Sequence, residues 1–213
     1  MHRFPEYLLA GYANFMSGRY NREEARYREL AREGQNPSAM VIACSDSRSA
    51  PETIFDAGPG ELFVLRNVAN LVPPYQPDAN LHGTSAAVEF AVKYLEITDL
   101  VIMGHGRCGG IHAALNPKGP VMTESDFIGN WMSLLAPVSE QVSRNSWMTE
   151  AERRTALERI SIRHSMGNLR TFPYVRELEA AGKLALHGAW FDISTGELWV
   201  MDPETGDFTR PDR

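Results

Sequence analysis

The chain has 213 residues, 43% hydrophobic and 23% charged, the balance of a globular protein with enough apolar side chains for a sizeable core. Its 27 acidic residues outnumber the 21 Lys and Arg, a formal charge of −6, so the electrostatics give no support to a nucleic-acid partner. No apolar run approaches the roughly 20 residues that cross a bilayer, the N-terminal stretch lacks a signal-peptide core, and a disulfide-built fold would carry more than two cysteines, which together predict a cytoplasmic protein with no membrane partner.

Residues 5–33 are predicted helical. Leu8, Leu9, Tyr12, Phe15 and Met16 fall at helical spacing, a charged stretch follows, and Gly34 is the stop. This arm, residues 1–34, packs either on its own domain or on a neighbouring subunit. Residues 35–213 read as one α/β domain without internal repeats. Met40-Val41-Ile42-Ala43 and Leu62-Phe63-Val64-Leu65 are short apolar runs with the look of buried strands. After a proline-rich loop, Thr84 or Ser85 starts a helix carrying Ala87, Val88, Ala91 and Leu95 on one side. A third apolar run, Leu100-Val101-Ile102-Met103, follows. Apolar runs alternating with helices predict a mostly parallel sheet buried on both faces, with its active site at the carboxyl ends of the strands.

Beyond the third strand, residues 117–131 form a Pro- and Gly-containing connection into a helix near residues 127–135. Thr149 and Glu152 spell a capping box that opens a long helix through about Leu169. Residues 184–193 and 198–201, around the turn Ser194-Thr195-Gly196, predict an antiparallel hairpin at a sheet edge. The charged tail, residues 202–213, is expected to be a surface extension.

Both cysteines sit just after predicted strand ends. Cys108 lies in GHGRCGG, residues 104–110, where Gly104, Gly106 and Gly109 spell the turn pattern of a dinucleotide site. Such a site also needs a second strand ending in an acid about 20 residues on. Glu124 and Asp126 stand at that distance, but Pro117, Gly119 and Pro120 break the sequence before them, and an imidazole at His105 has no part in holding a pyrophosphate. A metal site uses these residues better. His105 and Cys108 are three apart, Cys44 opens CSDSR, and adjacent parallel strands lie ~5 Å apart, so the loops after them meet. Two thiolates and one imidazole form a set that zinc favours, and three protein ligands leave the fourth position open, as catalysis requires. Asp46 and Arg48 complete the pattern, since a bidentate arginine keeps the carboxylate ionised and off the metal. A phosphatase loop would need a longer Cys-to-Arg spacing, and a redox pair would leave His105 and Asp46 idle. His2, His82, His112, His164 and His187 have no second ligand at informative spacing.

CSDSR and GHGRCGG together resemble the β-class carbonic anhydrases. The likeness extends through ACSDSRSAPETIFDAGPGELFVLRNVANLVPPY, SAAVEFAVKYL and HGAWFDISTGELWVMD, over roughly residues 35–202. It implies a zinc lyase that interconverts carbon dioxide and bicarbonate through zinc-bound hydroxide, and a homodimer or tetramer as the assembly. It implies one zinc per chain on Cys44, His105 and Cys108, an Asp46–Arg48 catalytic dyad, and substrate-binding positions at Gln35, Phe63, Val68, Phe90 and the Gly109 amide. Gln35, with Val41 three residues before the first zinc cysteine, resembles the plant-type branch. A related zinc hydrolase acting on carbonyl sulfide or carbon disulfide, and a non-catalytic zinc protein, are the rival readings.

Overall fold

In a computed structural model, residues 4–124 and 127–211 are described. His2 and Asp126 lie outside them. The arm is one helical rod in three segments: α1 (Glu6–Phe15), a π-helical turn (Met16–Tyr20) and α2 (Asn21–Glu33), which Gly34 ends at φ 84°. It buries none of its residues. Its attachment is local: Arg19 donates to the Ala57 carbonyl at 2.9 Å, and Leu30 lies against Gly60.

The rest of the chain alternates as predicted. β1 (Ala39–Cys44), α3 (Pro51–Ile54), β2 (Leu62–Asn67), α4 (Gly83–Lys93), β3 (Asp99–His105) and α5 (Gly109–Ala114) come first. Four helices then follow the short α6 (Pro120–Thr123): α7 (Ile128–Met132), α8 (Ala136–Ser143), α9 (Glu150–Leu169) and α10 (Pro173–Ala180). β4 (Ala185–Asp192), β5 (Glu197–Met201) and β6 (Phe208–Thr209) close the chain. The sheet order is β2-β1-β3-β4-β5-β6, with the first four strands parallel and the last two antiparallel.

The apolar runs of β1 and β3 are buried because α4 and α9 pack on one face, while Val41, Ala43 and Met103 pack with Ile54 of α3 on the other. Met40 and Ile42 of β1 and Leu100 and Ile102 of β3 pack with Val88 of α4 and Ile162 of α9 in one core. Cys44, Cys108, Leu71, Ile111, Met132 and Leu157 form a second apolar cluster around the carboxyl ends of β1 and β3. The Thr149–Glu152 capping box is present, so the predicted long helix starts and ends where the sequence places it.

The structure corrects the sequence reading in three places. The tail is not simply a surface extension, because Phe208 is buried and β6 pairs with β5. One phenylalanine among charged residues carries too little pattern to signal a two-residue strand. The hairpin is not wholly at an edge, since β4 pairs in parallel with β3 along Asp99–His105 and β6 covers β5. Finally, α8 and α10 fall in segments to which the sequence reading assigned no element; both begin with Pro in the first turn, a start signal that lies in the sequence.

Candidate metal centre

β1 and β3 are adjacent and parallel, in register from Ala39 opposite Asp99, so they end side by side. That places Cys44, the last residue of β1, beside His105, the last residue of β3. Cys108 is the N-cap of α5, so the His-x-x-Cys pair spans a strand-to-helix turn rather than a helical turn. The ligand atoms of Cys44, His105 and Cys108 lie within 4.8 Å of one another, the group among the described residues whose ligand atoms converge in this way.

The donor set fits zinc on its chemistry. The His105 ring is buried, and its Nδ1–H donates to the Gly106 carbonyl at 2.8 Å. That bond fixes the tautomer and leaves Nε2 as a lone pair with no hydrogen-bond partner. Cys44 Sγ and Cys108 Sγ are 3.9 Å apart and both are free. Hydrogen bonding from Cys108 draws the Cys44 thiol down, and the same pairing together with burial pushes Cys108 up. Burial pulls His105 toward its neutral form, but the Cys44 sulfur and the Gly106 carbonyl outweigh it and the pKa rises. Two thiols and an imidazole are soft donors of the kind that soft divalent cations take.

Asp46 and Arg48 stand at its mouth. Arg48 Nε and Nη2 donate to Asp46 Oδ1 and Oδ2 at 2.9 and 2.7 Å, and the Arg48 amide donates to Oδ1 at 3.0 Å. The guanidinium holds the Asp46 carboxyl well below the usual carboxylate range. Oδ2 is 3.9 Å from His105 Nε2, so the dyad and the ligand cluster share one space.

Two residues that the sequence reading passed over build the frame. Arg66 of β2 donates to the carbonyls of Cys44 at 2.9 Å and Asp46 at 2.5 Å, pinning the CSDSR loop. Its signal was an arginine inside an apolar strand. Glu158 of α9 is 3% exposed and accepts from the Cys108 amide at 3.2 Å and from Trp190 Nε1 at 3.1 Å. Burial pushes its carboxyl up. Nothing in a helical sequence distinguishes such a glutamate from a solvated one.

Gly104 and Gly110 of GHGRCGG serve packing, whereas Gly109 has open space beside it. A Cβ at Gly104 would meet Ile162 Cδ1 at 2.9 Å, and one at Gly110 would meet Ala69 Cβ and Val68 Cγ1 at 3.1 Å. The left-handed residue of the turn is Arg107, at φ 58°, rather than a glycine. Its side chain is tied to Asp192 at 3.2 Å.

The five substrate-binding candidates divide. Val68 follows β2 and lies against Gly110, and Gly109 starts α5 after Cys108, so both flank the cluster. Gln35 precedes β1, while Phe63 opposes Met40 near the start of β2 and lies against Phe90, the tilted rings 5.8 Å apart. Cys44 opposes Asn67, four residues beyond Phe63, so Phe63 lies ~13 Å back along the strands, with Phe90 beside it and Gln35 before the start of β1. A cleft of about 840 Å³, lined by Asn67, Val68, Thr84, Phe127 and Trp131 among others, borders the site through Val68 but includes none of the three ligands.

The carbonic anhydrase family model matches residues 39–198, which contain Cys44, Asp46, Arg48, His105 and Cys108. The chain is 33% identical to beta carbonic anhydrase 3 of Arabidopsis thaliana, over 94% of this chain and 78% of that one. It superposes on the β-carbonic anhydrase CcaA with a TM-score of 0.90 at 29% identity, covering 98% of this chain and 92% of that one. It also resembles a tetrameric β-carbonic anhydrase of Sordaria macrospora, with a TM-score of 0.78 and 29% identity, over 96% of this chain and 98% of that one.

Proposed function

Because the chain belongs to the carbonic anhydrase family, in its β-class, we propose that Cys44, His105 and Cys108 hold one zinc and that Asp46 and Arg48 orient the water that hydrates carbon dioxide there. The observation that carries this is the unpartnered His105 Nε2 facing two thiols, with an ionised Asp46 oxygen 3.9 Å away.

Bound zinc supplies a Lewis acid that brings the pKa of water toward ~7. The remaining work belongs to the protein. An ionised Asp46 is only an acceptor, so a water in the space beside Oδ2 directs its hydrogen to the carboxylate and its lone pair outward. Arg48 uses both carboxylate oxygens, which keeps Asp46 from swinging in as a fourth ligand. Carbon dioxide offers few handles, and Val68 with the Gly109 amide supplies an apolar wall and one donor.

Gln35, Phe63 and Phe90 serve a substrate pocket only from a second copy of the chain, because within one chain they sit at the other end of the strands. The exposed edge of β2 and the exposed Phe90 and Tyr94 rings fit a homodimer formed there, or a tetramer built from such dimers. Among the described residues no helix is long and apolar enough to cross a membrane. Two free cysteines in one metal-binding group fit a reducing, cytoplasmic compartment.

Metal content and stopped-flow carbon dioxide hydration on one preparation test the reading. One zinc per chain with rapid hydration supports it. Bound zinc with hydrolysis of carbonyl sulfide or carbon disulfide in place of hydration replaces the substrate, and absence of zinc overturns the centre itself.

A further inference from the structure

The turn between His105 and Cys108 is held at its start by the His105 ring on the Gly106 carbonyl and by the Gly106 amide on the Phe191 carbonyl, each at 2.8 Å. Its central residue, Arg107, is in the left-handed region at φ 58°, which costs a β-carbon-bearing residue of this size free energy unless its surroundings hold it. Two acids from elsewhere in the fold do so. Asp192, the last residue of β4, takes the Arg107 side chain at 3.2 Å. Glu158, fifty residues on from Cys108 along the chain, takes the Cys108 amide on Oε1 and the Trp190 indole on Oε2.

Glu158 is 3% exposed, and its neighbours in space are Cys108, Trp190 and the underside of the His105–Cys108 turn. Two donors meet the carboxylate, one on each oxygen, a match that a glutamine makes at one oxygen alone. Burial of a carboxyl on an apolar helix face is unfavourable unless its position is worth keeping. Here the position is behind a candidate metal ligand, at the backbone that aims its sulfur.

We propose that Glu158 is a positioning residue of the metal centre: by holding the Cys108 amide it fixes the turn that points Cys108 Sγ at Cys44 Sγ and His105 Nε2, and so sets how slowly the centre gives up its zinc. This rests on the zinc reading above. Trp190 is part of the device, because its indole orients the carboxylate from the far side.

The test uses the full chain loaded with zinc, challenged with excess chelator while release is followed by a zinc indicator. Cobalt-loaded protein gives a second readout, the thiolate-to-metal charge-transfer band. Glu158→Gln places an amide hydrogen against either the Cys108 or the Trp190 donor, so zinc leaves about 10–100-fold faster and the cobalt band shifts. Glu158→Gln/Trp190→Phe removes the competing donor, frees the glutamine oxygen for the Cys108 amide, and brings release back to within about threefold of the parent although the fold is less stable. A merely structural glutamate gives the opposite order, the double variant being the worse. A folded Glu158→Gln that releases zinc at the parent rate, or a double variant no slower than the single, overturns the proposal. Should Glu158→Gln fail to fold, the double variant decides alone: near-parent release upholds the proposal and release about tenfold or more faster overturns it. Failure of the zinc reading itself shows separately, as a parent protein that takes up no zinc.

Discussion

Arg48 grips Asp46, two residues away, with a guanidinium fork at 2.9 and 2.7 Å and its own amide at 3.0 Å. Three donors on one carboxylate from a single neighbour make a rigid unit. The Arg48 side chain is half exposed, so the contact is not there for stability, for which exposed pairs contribute little. Its effect is on where Asp46 points and on its charge.

Arg48→Ala therefore frees Asp46 to move toward the cluster. Turnover falls about 10²-fold or more, while zinc content and thermal stability stay near the parent values. Stopped-flow hydration with metal analysis on the same sample checks this; undiminished activity would remove Arg48 from the mechanism.

The pH profile follows from the same pair. Asp46 has its pKa depressed by Arg48, so its charged form is present at every pH above the ordinary carboxylate value of ~3.9 and is lost only in stronger acid. It contributes no inflection between about pH 6 and 9, and a rise in rate across that window reports the acidified water. Asp46→Asn lowers the rate at every pH in the window. A profile that is flat in the parent protein counts against the metal-centred reading.

The separation of Gln35, Phe63 and Phe90 from their own chain's cluster predicts complementation. A Cys108→Ser chain has no complete set of the proposed ligands, and a Gln35→Ala chain lacks one residue of the proposed pocket. Each alone is impaired. Co-refolded, a mixed dimer pairs the intact cluster of the second with the intact Gln35 of the first, and activity rises above the sum of the separate samples. Strict additivity across mixing ratios would show that Gln35 acts within its own chain or not at all.

Gly104 is held to glycine by Ile162 of α9. Gly104→Ala puts a Cβ 2.9 Å from Ile162 Cδ1 and costs about 1–3 kcal/mol by overpacking. Ile162→Val removes that methyl, so the double variant is more stable than the sum of the two single changes predicts. Denaturant unfolding of the four proteins gives the coupling; additive losses would mean that the helix shifts freely away from the strand.

The alternation of strands and helices and the capping box of α9 were legible because each is a local pattern that burial enforces. The Cys44, His105 and Cys108 set was legible because few other residue types do that chemistry, and the resemblance of CSDSR and GHGRCGG to one family tied the two loops together. Arg66 and Glu158 were not legible, because their roles lie in where a carbonyl or an amide of another element ends up. Phe208 was missed for a similar reason: two residues of strand need a neighbouring strand before they mean anything.

The sequence by itself determined which atoms can bind a metal, since thiol and imidazole chemistry travels with residue type. Tertiary structure decided the rest. The parallel register of β1 on β3 sets Cys44 beside His105, the tie from α9 aims Cys108, and the length of β2 keeps Phe63 away from the cluster of its own chain. Distances of this kind depend on how strands pair and helices cross, and no local pattern of residues carries them.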